Sequence, residues 1–155
     1  MRNTRKAFRW IVGRIRRQRI PFQIFGGLAA RAYGAKRALA DIDIAVPNGR
    51  FHEIVPAVRR YITGEPRRYR DRNWDLLLMT LSYAGQEIDI CGDPVRIYDA
   101  TARKWRKHAA PFSKPTYGKL YGLTIPLVPK KTLVAYKRQL GRRVDRDDVR
   151  QLTAK

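Results

Sequence analysis

Two short runs, Asp41-Ile42-Asp43-Ile44 and Glu87-Ile88-Asp89-Ile90, alternate an acid with isoleucine. In an extended strand successive side chains point to opposite faces. Each run therefore presents its carboxylates on one face and its isoleucines on the other, and the isoleucine face needs a core. Aspartate is poorly suited to strands, so the acidic face requires a reason. Neighbouring carboxylates repel and raise one another's pKa unless a cation stands between them. A pair of oxygen donors on one strand suits magnesium, which is held by one or two carboxylates together with substrate phosphates. Each run taken alone is also compatible with the solvent face of an amphipathic strand.

Gly26-Gly27 narrows the reading. The pair follows a short apolar segment, Phe22–Phe25, and precedes Leu28–Tyr33, which reads as a short helix ended by Gly34. Glycine lets backbone approach a phosphate closely, and a strand-to-helix turn presents free N–H groups. Upstream, Phe8, Ile11, Val12 and Ile15 fall at helical spacing among arginines, predicting an amphipathic first helix that stops before Pro21. Downstream, Phe51–Tyr61 reads as a helix. Trp74–Tyr83 and Gln86–Cys91 read as a hairpin across Ala84-Gly85, with an edge strand at Val95–Tyr98. Residues 104–126 read as irregular, with a strand near Tyr117–Tyr121. A helix is predicted from Pro129 to Leu140, stopping at Gly141, and a last helix capped by Asp145. The order gives an α/β (α+β) class: a mixed twisted sheet with helices mainly on one side. The 155 residues form one domain, with a core over about 20–125 and C-terminal helices over about 129–155.

The chain carries 34 Lys and Arg against 13 Asp and Glu, a net charge of +21. Such an excess repels itself and favours a polyanionic partner, although solubility alone also uses surface charge. The basic residues fall in four groups: 1–20, 59–72, 103–119 and 130–143. Candidate nucleic-acid contacts are Arg14, Arg16 and Arg17, then Arg67 and Arg68, then Arg103, Lys104 and Arg106. If RNA is the partner, at least two groups are expected to converge on a track that leads to the acids. The lone cysteine, Cys91, has no partner for a disulfide and reads as a small buried residue. No spacing suits zinc, and no apolar stretch is long enough for a membrane span. Together these predict a cytoplasmic protein. Trp74 reads as packing rather than as a base-stacking platform.

As a set, "IFGGLAARAYGAKRALADIDIAV" and the later "EIDI" resemble the signature of the DNA polymerase beta-type nucleotidyltransferase superfamily. The tail "TLVAYKRQLGRRVDRDDVRQL" resembles the helical element of its small members: minimal, lincosamide and aminoglycoside nucleotidyltransferases, and the toxin side of abortive-infection systems. The resemblance implies transfer of a nucleoside monophosphate from an NTP, such as ATP, to an acceptor hydroxyl, with two magnesium ions that manganese can replace. Asp41 and Asp43 would bind both metals. Asp89 would bind the catalytic metal and orient or deprotonate the acceptor, with Glu87 as the alternative third acid. Gly26 and Gly27 would cradle the triphosphate, and Arg37 and Lys137 would reach it. Ala40 departs from the polar residue many members carry before the first aspartate. An RNA acceptor such as tRNA suits the charge, whereas a cationic aminoglycoside would be repelled. An acidic protein partner, as in toxin–antitoxin pairs, and a non-catalytic nucleic-acid-binding module on the same fold are the alternatives.

Overall fold

The computed structural model describes residues 1–154. Helix α1 spans Thr4–Arg17, with the Asn3 side chain accepting the Lys6 N–H at its start. Its Ala7, Phe8, Ile11, Val12 and Ile15 are buried, as the 3.6-residue spacing requires. Full burial of each large side chain contributes about 1.5–3 kcal/mol, so this stripe fixes the helix although its other faces are mostly arginine. Strand β1 (Gln23–Phe25) runs directly into α2 (Gly26–Ala32), and β2 follows at Asp41–Pro47.

Residues 48–61 form a 3₁₀ stretch over Asn48–Ile54, a single turn α3 at Val55–Val58 and a second 3₁₀ turn at Arg59–Tyr61. The expected continuous helix over 51–61 does not form. Pro56 lacks an N–H, and its ring would meet the carbonyl of His52 in a continuous α-helix, so the helix breaks and only a single turn starts at Val55. Strand β3 (Ile62–Arg70) was not expected: it is an arginine-rich edge strand with irregular register around Pro66, a position where proline is tolerated. Strand β4 is Trp74–Tyr83. Strand β5 is continuous from Gln86 to Asp99, joining the two short strands expected there. Strands β6 (Lys104–His108), β7 (Thr116–Leu120) and β8 (Leu123–Leu127) order most of the segment expected to be irregular. Helix α4 (Lys130–Leu140) ends at Gly141 with φ +63°, and α5 spans Arg143–Thr153. Arg142, not Asp145, stands at the N-cap of α5. Asp145 lies one turn in, where its carboxylate accepts the Arg142 N–H at 3.3 Å.

The strands form one mixed sheet in the order β3-β4-β5-β2-β1-β8-β7, with β6 added beside β5. The decisive pairing is parallel, β2 on β5, with Asp41 opposite Glu87, Ile42 opposite Ile88, Asp43 opposite Asp89 and Ile44 opposite Ile90. The four isoleucines are fully buried against α1, α2 and the 3₁₀ stretch. The acids take the other face, where Tyr136 and Lys137 of α4 and Arg142 close over one side of a cleft. No helix among the described residues is long and apolar enough to cross a membrane.

Candidate active site

The cleft has a volume of about 560 Å³. Its floor is built by strand register. Asp41 and Asp43 on β2 stand beside Glu87 and Asp89 on β5, so the two alternating runs make a two-by-two patch of carboxylates. Oxygens of Asp41, Glu87 and Asp89 lie within 4.8 Å of one another. Asp43 completes the patch on the side of Gly26. Glu87 therefore stands beside Asp89 rather than in place of it.

Burial raises the Asp43 carboxyl well above the ordinary range, and the charges of Asp41 and Asp89 raise it further. Burial also pushes Asp89 up to about 6; the Thr80 hydroxyl, donating to it at 2.8 Å, opposes this, while Asp41 and Glu87 add to it. Thr80 thus fixes the Asp89 carboxylate from the neighbouring strand. Five of the protein's thirteen acids line this one cleft, on a chain of net charge +21. Such local concentration, costly by itself, fits a site for divalent cations. An all-oxygen donor set suits magnesium or manganese.

Gly26 has φ +60°, and a β-carbon there would overlap the Asp43 carboxylate. A β-carbon at Gly27 would stand 2.5 Å from the Arg37 guanidinium. The glycine pair is therefore needed so that backbone can lie against both a carboxylate and a guanidinium. Arg37 is gripped by the Asp148 carboxylate through two hydrogen bonds of 2.9 and 3.1 Å. Lys137, 2% exposed, reaches the same Asp148 at 2.9 Å and Asp145 at 3.4 Å. Both line the cleft, but neither is a free cation: the loop after α2, α4 and α5 are joined here through a shared ionic network. Burial alone would raise the Asp148 carboxyl, and Arg37 and Lys137 outweigh it, holding the group below its ordinary value.

Three cleft residues carry chemistry that the sequence did not single out. Arg142 stacks on the Trp74 ring at 4.8 Å and binds Asp145 at 2.6 and 3.0 Å. Tyr136 accepts the Trp74 indole N–H at 2.7 Å and packs edge-on against Phe25, with ring centroids 4.7 Å apart. Tyr69 of β3 lines the opposite wall. Trp74, expected to be packing, is half-buried and faces the cleft. Cys91 lines the cleft wall, and burial keeps its thiol pKa well above the ordinary value, which suits an inert residue.

The basic groups do not form one track to the acids. Arg14, Arg16 and Arg17 lie on α1, which covers the isoleucine face, and Arg16 donates to the Thr124 carbonyl there. Arg67 stands over the Tyr69 ring on the cleft side, whereas Arg68 is paired with Asp75. Arg106 is paired with Asp99, and Arg103 and Lys104 are exposed at the start of β6.

No family model and no curated protein sequence matches the chain. Solved structures do. A protein of Thermotoga maritima assigned to the nucleotidyltransferases is 18% identical, with a TM-score of 0.75 over 94% of this chain and 89% of that one. The lincosamide antibiotic adenylyltransferase LnuA, solved with lincomycin, is 14% identical, with a TM-score of 0.65 over 99% of both chains. ANT(2″)-Ia, solved in complex with adenylyl-2″-tobramycin, is 15% identical, with a TM-score of 0.62 over 96% of this chain and 86% of that one. At these identities the likeness is one of architecture, and it covers nearly the whole of every chain compared: the protein has the nucleotidyltransferase fold.

Proposed function

We propose that the protein transfers a nucleoside monophosphate from an NTP to an acceptor hydroxyl, releasing pyrophosphate. The observation that carries this is the four-carboxylate patch of Asp41, Asp43, Glu87 and Asp89 beside Gly26-Gly27, on the fold shared with adenylyltransferases. Asp41, Asp43 and Asp89 would hold divalent cations, with Glu87 within reach of the same site. Magnesium held by these carboxylates would neutralise triphosphate charge and lower the pKa of the attacking hydroxyl. The Gly26-Gly27 backbone, packed against the Asp43 carboxylate and the Arg37 guanidinium, would cradle the triphosphate beside the acids. Arg37, Lys137 and Arg142 supply positive potential at the same wall while remaining tied to Asp145 and Asp148. Asp89, held by Thr80, takes the acceptor proton as the new bond to the α-phosphorus forms and the bond to the β-phosphate oxygen breaks. Trp74, Tyr136 and Tyr69 offer apolar surface for a base or the acceptor.

We read the acceptor as RNA, because a chain of net charge +21 attracts a polyanion. A specific observation favours a second acceptor class. The cleft is the acidic part of a basic protein, so the repulsion expected for a small hydroxylated cation does not operate inside it. LnuA and ANT(2″)-Ia were solved with a lincosamide and an adenylylated tobramycin. Incubation with each α-³²P-labelled NTP and Mg²⁺, with total RNA or with lincomycin and tobramycin, tests both. Label on RNA, lost with EDTA, supports the first reading. Label on a small acceptor alone selects the second. Label on no acceptor, with no binding of any NTP, overturns nucleotidyl transfer.

A further inference from the structure

The face of the sheet away from the cleft carries a cluster that the cleft chemistry does not use. Strand β5 pairs with β6 so that Arg96 lies opposite Lys107 and Tyr98 opposite Trp105, while β4 sets Asp75 opposite Arg96 and β3 sets Arg70 opposite Asp75. These side chains point away from the wall that Trp74 and Val95 present to the cleft, and none of them lines it. The guanidiniums of Arg70 and Arg96 stand 5.1 and 5.8 Å from the centre of the same indole, Trp105. Trp105 packs on Tyr98, with ring centroids 5.6 Å apart. Arg68 and Arg96 share one buried carboxylate, Asp75, at 2.7 and 3.5 Å. Arg70 and Lys107 have no ion-pair partner among the described residues.

Three arginines, Arg68, Arg70 and Arg96, thus act on one acid, Asp75, with Lys107 across from Arg96 on β6, and two of the arginines are held over a single aromatic ring. Guanidiniums this close repel one another. The attraction to the indole face offsets part of that and fixes their direction. A fixed, under-neutralised cluster is a site for phosphate oxygens, which match the guanidinium fork. Residues 67–70 and 96–107 come from separate basic stretches of the chain, so their meeting is produced by the sheet and not by local composition.

We propose that Arg68, Arg70, Arg96 and Lys107, organised by Trp105, form a docking surface for the phosphodiester backbone of an RNA strand. The choice of RNA rests on the RNA-acceptor reading above; binding at this face is separate from transfer in the cleft. The test uses the full chain and a fluorescein-labelled single-stranded RNA of 20 uridines, read by fluorescence anisotropy from low to high salt. The paired substitution Arg70→Ala and Lys107→Ala, which leaves the Asp75 ion pairs in place, is expected to weaken binding by at least about tenfold. It should also flatten the salt dependence by roughly 0.7 of a log–log unit for each phosphate that is no longer neutralised. Removing the same charge from α1 and the turn after it, with Arg17→Ala and Arg19→Ala, is expected to change affinity less than threefold. Equal weakening by the Arg17/Arg19 pair overturns the proposal in favour of diffuse attraction. So does unchanged binding by the Arg70/Lys107 variant, or binding of anionic phospholipid vesicles with none of RNA. Transfer of label to a small acceptor by a chain that does not bind RNA would sink this surface while leaving nucleotidyl transfer standing. RNA binding by a chain that binds no NTP and labels no acceptor would do the reverse.

Discussion

Gly26 and Asp43 occupy one another's space: the glycine takes φ +60° at the head of α2, and the aspartate carboxylate fills the volume where a β-carbon would stand. Phe25 pairs with Asp43 across β1 and β2, so the turn and the acid are set by the same register. Alanine at position 26 would meet both constraints at once. The left-handed backbone costs about 1–2 kcal/mol for a residue with a β-carbon, and the Asp43 carboxylate has to move. Gly26→Ala is therefore expected to lower stability by about that amount in urea titration. Transfer should fall on the order of a hundredfold, as displacement of a reacting group by an ångström does. Loss of stability with unchanged transfer would mean that the position of Asp43 is not critical.

Asp43 sits where its charge is unfavourable without a cation, because burial and the charges of Asp41 and Asp89 both raise its pKa. Asparagine keeps the shape and removes the charge. Asp43→Asn is expected to abolish transfer by on the order of a thousandfold or more, the equivalent of several kcal/mol of lost charge stabilisation. The same change should raise the melting temperature of the metal-free protein at pH 7.5 by a few degrees, at about 2–4 °C per kcal/mol for a chain of this size. A lower melting temperature would show that the carboxylate is needed for folding.

The pH dependence follows with a definite sign. Burial first, then neighbouring acids, push Asp89 up to about 6. Burial pushes Asp93 up to about 6 as well, against the Ala110 N–H that donates to it at 2.8 Å. In the unfolded chain these carboxyls titrate near 4. Between roughly pH 4 and 6 the folded state therefore binds more protons, and stability falls as pH rises through that window. The carboxyls held low by arginines or backbone N–H groups, such as Asp75 and Asp99, give the opposite slope up to about pH 5, where the unfolded chain finishes ionising, and none above it. The metal-free protein should melt higher at pH 5 than at pH 7, and Asp89→Asn should flatten the difference. Magnesium should raise the melting point more at pH 7 than at pH 5, since protonated carboxyls do not hold it.

What was legible in the sequence is what strand alternation encodes. Ile42, Ile44, Ile88 and Ile90 announced a buried face, and Asp41, Asp43, Glu87 and Asp89 announced the face opposite. The choice between Glu87 and Asp89 could not be made from alternation, because both point the same way; the parallel register of β2 on β5 brings both to the site. Strand β3 was hidden because an edge strand needs no second apolar face, and its arginines and Pro66 read as a solvated loop. Arg142 was hidden in a run of charges, Arg142-Arg143-Val144-Asp145-Arg146. Nothing local distinguishes the one arginine that turns inward to Trp74 and Asp145. The division of the basic groups between the two faces likewise depends on sheet order, which composition does not carry.

Lys137 tests how far the cleft depends on its buried ions. Its ammonium, almost fully enclosed, lies between Asp145 and Asp148, and Arg142 and Arg37 hold the outer sides of the same carboxylates. Removing one partner from such a group leaves charge buried without compensation, which costs about 3–5 kcal/mol when no other partner remains. The two arginines retain part of the compensation. Lys137→Met is therefore expected to destabilise the protein by about 2–3 kcal/mol, read as a lower urea midpoint at unchanged slope. Adding Asp145→Asn to that variant should recover part of the loss, because the unpaired carboxylate is then gone. The kinetic consequence separates two roles for the lysine. If its potential acts on the triphosphate, Lys137→Met raises KM for the NTP in the surviving folded fraction, and Lys137→Arg restores it. If its role is to hold α4 against α5, the Asp145→Asn revertant recovers KM along with stability, and the triphosphate role is excluded.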